Sequence, residues 1–319
     1  MSNNTNSSGY ASYNTIVGGT VDTLTITGSE ISNNDGTAVD IGLAETVSVV
    51  KSTISGNSKG GLEISTKYYA EDINVEVVNS TISGNAYGGG IDIYTSDYNY
   101  NVDINISNST IMNNDGQNGY GGGIHINYSE YTVATISNSI IAGNTVYGSS
   151  DSNLYGQFAI NHSLIDTLVN SQGYINDVSI YSIAYEEGVL TGNNLVDVDP
   201  DVQPLAYRGG ALVHAVKSTS PAYAAGDASA ELPATDQIGQ SRLRSGELDM
   251  GAVQSVASST IKNDLYIMRD DEEVASINVL RNDLIASDID VGTVYVSVLN
   301  DPQFGEASVG ESNEILYTP

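Results

Sequence analysis

Ser80-Thr81-Ile82-Ser83-Gly84-Asn85 repeats Ser52-Thr53-Ile54-Ser55-Gly56-Asn57 almost residue for residue. The same pattern recurs in Ser29-Glu30-Ile31-Ser32-Asn33-Asn34, Ser109-Thr110-Ile111-Met112-Asn113-Asn114 and Ser139-Ile140-Ile141-Ala142-Gly143-Asn144, with a degenerate copy at Ser163-Leu164-Ile165. The central isoleucines stand at 31, 54, 82, 111, 141 and 165, so the spacings are 23, 28, 29, 30 and 24 residues. A repeat of that length is one supersecondary unit that must stack on its neighbours to bury its apolar face.

Each unit carries two further alternating runs. One follows a Gly-rich turn, as in Gly61-Leu62-Glu63-Ile64, Gly90-Ile91-Asp92-Ile93 and Gly123-Ile124-His125-Ile126. The other precedes the Ser, as in Val47-Ser48-Val49-Val50, Val75-Glu76-Val77-Val78 and Asp103-Ile104-Asn105-Ile106. Period-2 alternation with β-branched residues reads as strand. Three short strands and no helical stretch per unit exclude a leucine-rich repeat, and a propeller blade would need longer antiparallel strands. The fold expected is all-β: a right-handed parallel β-helix with three short strands per coil.

Stacking explains the residue choice. Equivalent positions in successive coils lie about 4.8 Å apart, so inward Ile, Val and Leu form apolar columns, each buried side chain contributing roughly 1.5–3 kcal/mol. Asn57, Asn85, Asn114 and Asn144 should form an amide ladder at one corner, with Asn79, Asn108 and Asn138 as a second column. Gly88 to Gly90 and Gly121 to Gly123 are expected to supply positive φ at the next corner. The extra residues of the longer coils fall between the first and second strands and are rich in Tyr and acids: Tyr68-Tyr69-Ala70-Glu71-Asp72, Tyr94 to Tyr100 and Tyr128-Ser129-Glu130-Tyr131.

The pattern divides the chain into three parts. Coils occupy 1–149. The stretch 150–254 holds Pro200, Pro204, Pro221 and Pro233, four of the six prolines, and reads as the last coil or coils with an irregular C-terminal cap. From 255 to 319 a new alternation, including Thr293-Val294-Tyr295-Val296-Ser297-Val298, reads as a partial β-sandwich.

Charge narrows the partners. The 319 residues contain 10 Lys+Arg against 39 Asp+Glu, a formal net charge of -29. No basic cluster exists to meet nucleic acid, and an anionic membrane surface would repel the chain. No run is long enough for a transmembrane helix, so no membrane insertion is expected. There is no Cys, so disulfides say nothing about the compartment. Met1-Ser2-Asn3-Asn4 lacks the basic and apolar regions of a signal peptide. The chain is therefore expected to be a fragment, or to be exported by a route that needs no N-terminal signal.

Two resemblances bear on this partition. Asp199-Pro200, Pro204-Leu205, Gly209-Gly210, His214-Ala215, Ser220-Pro221-Ala222, Gly226-Asp227, Thr235-Asp236-Gln237 and Asp249-Met250-Gly251-Ala252 resemble, in order and approximate spacing, the choice-of-anchor Q region that closes many bacterial surface β-helices. The resemblance implies a pectate-lyase-like superhelix with a terminal cap, and no lyase activity. Asn263-Asp264-Leu265-Tyr266, Ile277-Asn278-Val279-Leu280-Arg281-Asn282-Asp283, Phe304-Gly305 and Tyr317-Thr318-Pro319 resemble the first two-thirds of a cadherin-like or bacterial Ig-like tandem domain. This implies that the chain is covalently part of a longer, calcium-dependent secreted adhesin, extracellular or at the cell surface.

Three candidate sites follow. Glu63, Asp92 and His125 stand at equivalent positions of adjacent coils; a glycosidase needs two carboxylates about 5–9 Å apart, yet such residues are also the ordinary solvent face of a strand. A uronate lyase needs basic groups, and residues 1–150 offer Lys51, Lys59 and Lys67 and no Arg. Tyr68, Tyr69, Tyr94, Tyr98, Tyr100, Tyr128 and Tyr131 could stack on the sugar rings of a polysaccharide or cell-surface glycan, or serve in strand and loop packing. Asp270, Asp283, Asp288 and Asp290 offer the hard oxygen ligands that suit Ca²⁺, or form a solvated acidic loop. His162 and His214 read as structural. Asn79-Ser80-Thr81 and Asn108-Ser109-Thr110 match a glycosylation acceptor pattern, but their register with the coil fits a ladder role better. The function expected is a non-enzymatic structural or adhesive segment; the alternative is a polysaccharide-active enzyme using the open strand face.

Overall fold

The computed structural model describes residues 16–66, 73–95, 102–116, 121–126, 134–148, 150–151, 153–167, 179–180, 193–268 and 272–319. Those residues form β-strands and one 3-10 turn, with no α-helix among them. The strands of the coils pair in parallel, each with its equivalent one coil away, as a parallel β-helix requires.

Three strand positions recur. The first sheet stacks Thr37 onward, Gly60–Thr66, Ile91–Thr95, Ile124–Ile126 and Leu154–Tyr155. The second stacks the end of Thr37–Val50 with Ile73–Val78, Val102–Ser107, Ala134–Ser137 and Gln157–Asn161. Strand Thr37–Val50 runs unbroken through both positions and fuses the two sheets. The third sheet has seven strands, from Glu30–Ser32 to Leu195–Val196.

The isoleucine column is as the repeat implies. Ile31, Ile54, Ile82, Ile111, Ile141 and Ile165 are direct ladder partners, and none is more than 3% exposed. The second sheet adds Val47, Val75, Ile104, Ala134 and Phe158 in one column. There the small Ala134 precedes the large Phe158, so volume is exchanged between neighbouring layers.

Two hydrogen-bonded ladders flank the isoleucines. Asn34, Asn57, Asn85, Asn114, Asn144 and Asn153 are linked Nδ2 to Oδ1 at 2.8–2.9 Å. Asn57, Asn85, Asn114 and Asn144 also donate to the carbonyls of Ile31, Ile54, Ile82 and Ile111. Ser52, Ser80, Ser109, Ser139 and Ser163 each accept the amide of the preceding coil's serine through Oγ, at 3.1–3.2 Å. Asn79, Asn108 and Asn138 do not extend these ladders. They hold left-handed backbone at φ 48, 50 and 49, turning the chain just before each serine. That is the region Asn tolerates best among non-glycine residues.

The glycine expectation needs correction. Of Gly88 to Gly90 and Gly121 to Gly123, only Gly89 has positive φ, at 74. The others are needed for close approach. A Cβ on Gly90 would lie 2.6 Å from the Gly123 carbonyl oxygen and 3.0 Å from Asn114 Nδ2, both fixed by the ladders. Gly90→Ala is therefore expected to cost about 1–3 kcal/mol in urea unfolding, the range for overpacking a fixed site. Gly19→Ala, whose Cβ would meet nothing within 4 Å, should be near neutral.

The irregular region lies along the flank of the solenoid. After Leu195–Val196 the chain turns back, and residues 199–254 form a strap over the outer face of the third sheet. Thr53 Oγ1 donates to the Leu212 carbonyl at 2.8 Å, and the Gln237 amide bridges Thr53 (2.8 Å) and Thr81 (2.6 Å). The Ala252 amide reaches Thr110 Oγ1 at 2.9 Å. Farther along, Met112, Ile140, Ala142 and Leu164 meet Val216, Ala222 and Met250 in a second apolar core. The third sheet is thus buried on both faces.

The C-terminal part, 255–319, holds a small antiparallel sheet of Ala275–Ile277, Ile315–Thr318 and Glu306–Val309. The alternating stretch from Val294 to Leu299 is extended but pairs with no strand among the described residues; Tyr295 is 90% and Leu299 88% exposed. Arg208, buried in the strap, anchors this part by donating to the carbonyls of Ile285, Ala286 and Ile289 at 2.7–2.8 Å.

Candidate functional site

The outward column of the first sheet carries the most chemistry. Parallel register aligns Asp40 with Glu63, Glu63 with Asp92, Asp92 with His125 and His125 with Tyr155. Their apolar neighbours, such as Ile91 and Ile93, point to the core, so these side chains point away from it. Like charges stacked directly across a ladder repel, and the column breaks its acidic run with a histidine.

Asp92 and His125 form a close pair. His125 Nδ1 lies 2.6 Å from Asp92 Oδ1. Tyr94 stands edge-on to the imidazole at 5.4 Å between ring centroids, and Tyr155 is tilted against it at 5.1 Å. A carboxylate on Nδ1 is the arrangement that orients an imidazole for proton transfer through its other nitrogen. The pair is inside the protein, however: His125 is 1% and Asp92 5% exposed. Glu63 is half-buried beside it. Register alone brings the three together, and it was written in the repeat. Tyr155 was not, because its strand, Leu154–Tyr155, is two residues long.

The other candidates are placed as follows. Of the tyrosines, Tyr94 is in the first sheet, while Tyr68, Tyr69, Tyr98, Tyr100, Tyr128 and Tyr131 lie outside the described residues. The described residues flanking two of the Tyr-rich insertions are in register, Thr66 with Thr95 and Ile73 with Val102. Asp270 also lies outside the described residues. Asp283 accepts the Lys262 amide at 2.7 Å, Asp288 accepts both the amide and hydroxyl of Ser218, and Asp290 caps its own turn at the Gly292 amide. Among the described residues no group of three or more His, Asp or Glu is placed to share a metal ion. Asp283 and Asp288 both sit where the C-terminal part meets the strap: the Asp283 carbonyl accepts the Gly209 amide.

His162 occupies a left-handed corner at φ 45. His214 lies under the strap. Asn79 and Asn108 are buried; Asn79 donates Nδ2 to the Thr235 carbonyl and Asn108 Oδ1 receives Arg242, so neither presents an amide for glycosylation. Among the described residues no helix is long and apolar enough to cross a membrane.

No family model, curated protein or solved structure matches the chain.

Proposed function

We propose that the chain is a non-enzymatic structural and adhesive segment of a secreted or cell-surface protein, with its Tyr-rich insertions as the glycan-contacting segments. The observation that carries this reading is burial. The described acid–base pair nearest to catalytic geometry, Asp92–His125, is inside the protein, and a strap roofs one of the three sheets. The two-ladder stack is what a load-bearing rod needs, since each coil is tied to the next by side chains as well as backbone. The resemblance of 199–252 to a choice-of-anchor Q region and of 263–319 to a cadherin-like domain supports the surface setting, and brings Ca²⁺ in as the proposed ion of the acidic C-terminal part.

A second reading has an observation in its favour. Asp92, His125, Tyr94 and Tyr155 are grouped as a sugar-active site would group them, which keeps a polysaccharide-active enzyme as the alternative. One set of measurements separates the two. The purified protein should release no unsaturated or reducing ends from pectate, alginate or similar uronates. On a glycan array, screened in millimolar Ca²⁺ and again in chelator, it should retain neutral or cationic glycans. Depolymerisation that disappears in Asp92→Asn or Glu63→Gln would replace the stalk with the enzyme.

A further inference from the structure

His214 stands where the strap crosses the third sheet, just after strand Ala211–Val213. Its ring is buried. Nδ1 lies 2.9 Å from the carbonyl oxygen of Gln203, and Nε2 lies 2.9 Å from Ser83 Oγ. A carbonyl can only accept, so Nδ1 carries the proton. Nε2 of the neutral ring then accepts from the Ser83 hydroxyl, and both ring nitrogens are satisfied.

A second proton removes that fit. Nε2 would become a donor, so the Ser83 hydroxyl would have to rotate to accept and give up its own donation, and a positive charge would sit in a buried site. Among the described residues nothing nearby compensates. The coil strands around Ser83, which are Thr53–Ser55, Thr81–Ser83 and Thr110–Met112, contain no ionisable residue. On the strap, Lys217 and Asp201 pair with each other at the surface. Asp236 and Asp249 are committed to backbone amides of the strap, and Arg242 to carbonyls and Asn108. Burial holds the imidazole below its ordinary pKa, opposed only by the Gln203 carbonyl.

We propose that His214 is an acid-sensitive latch, whose protonation releases the strap from the third sheet and uncovers that sheet's outer face. The surface uncovered is amphipathic: hydroxyls of Thr53, Thr81 and Thr110, then Met112, Ile140 and Leu164. The latch does not depend on what the solenoid binds.

The sign follows from linkage. The folded ring titrates below the ordinary value of 6.5, so the latch contributes fully above that pH and weakens as pH falls. Between the two values the opened strap holds one more proton than the closed one. Its opening constant therefore rises about tenfold per pH unit.

Hydrogen exchange of the whole chain at pH 7.5, 6.5 and 5.5, corrected for intrinsic rates, reads this directly. Protection within 199–254 should fall by up to about tenfold between pH 7.5 and 5.5, while first-sheet segment 60–66 changes little. His214→Gln keeps one donor and one acceptor without a titrating group, and its strap protection should stay level. Strap protection that ignores pH in the unaltered protein, or that falls in parallel in both proteins, overturns the latch. Should the variant not fold, NMR titration of the three histidines decides. A His214 ring that protonates at 6.5 or above while the strap stays closed overturns it, and protonation below 6.5 together with strap opening sustains it.

Discussion

Asn85→Asp should destabilise the solenoid by about 4 kcal/mol or more in urea unfolding, a larger loss than most single substitutions cause. The Asn85 side chain is fully buried and uses its whole hydrogen-bonding capacity. Nδ2 donates to the Ile54 carbonyl at 3.0 Å and to Asn114 Oδ1 at 2.9 Å, and Oδ1 accepts the backbone and side-chain N–H groups of Asn57. Aspartate keeps the acceptor and deletes both donors. Two oxygens would then face the new carboxylate with no proton between them, in a site that cannot hydrate it. Truncating the neighbouring core residue, Ile82→Ala, should cost about 2–5 kcal/mol, because a cavity forfeits packing without leaving polar groups unpaired. If Asn85→Asp proves milder than Ile82→Ala, the ladder is not what binds coil to coil.

What could be read in the sequence was whatever repeats. The isoleucine column and the ladder from Asn57 to Asn144 recur at matching offsets, so stacking follows from period alone. The ladder's last rung, Asn153, has no motif around it. It joins because the first-sheet strand Leu154–Tyr155 begins beside Asn144 and orients its amide, at 2.8 Å. The Asp92–His125 contact was implicit in the register, but its burial was not, because burial depends on what surrounds a strand face. Thr53, Thr81 and Thr110 form one column on the other face of the isoleucine strands. The signal that this face is covered lay farther along the same column, where Ile140 and Leu164 place apolar side chains on it. The strap itself has no periodicity. Its fit rests on single side chains such as Gln237 and His214 meeting hydroxyls some 130 to 180 residues away in sequence, which no local pattern encodes. Glycine misled for a related reason: Gly90 is dictated by the carbonyl of the coil above it, not by its own dihedral angles.

Arg242→Met should unfasten the strap, with a loss of about 3–5 kcal/mol at neutral pH, the range for stripping a buried charge of its partner. Arg242 is almost fully enclosed. Nη2 donates to Asn108 Oδ1 at 3.0 Å and to the Gly251 carbonyl at 2.5 Å. Burial pushes its pKa down to about 10, with Asp236 and Asp249 drawing it back up, so at neutral pH it remains a cation. Both aspartates are 0% exposed. Asp236 is held above its ordinary pKa by burial, while the amides of Gln254, Gln240 and Ile238, together with Arg242, oppose the rise. Methionine would fill much of the same volume and leave the carboxylates in place, so the variant isolates charge from packing. Removing the cation must raise the Asp236 pKa further. A carboxyl raised in the folded state keeps its stability at low pH and loses it as pH climbs through the folded value. The gap between the two proteins should consequently be smaller near pH 4 and widen toward pH 7. That is opposite in sense to the His214 latch, which weakens in acid. Limited proteolysis across this range would show the variant's strap cleaved faster than the unaltered protein's at neutral pH, with the two rates converging on acidification. A gap that is constant with pH would mean that Arg242 acts through its hydrogen bonds to Asn108 and Gly251 alone, and that the aspartates beside it are held by backbone amides without its help.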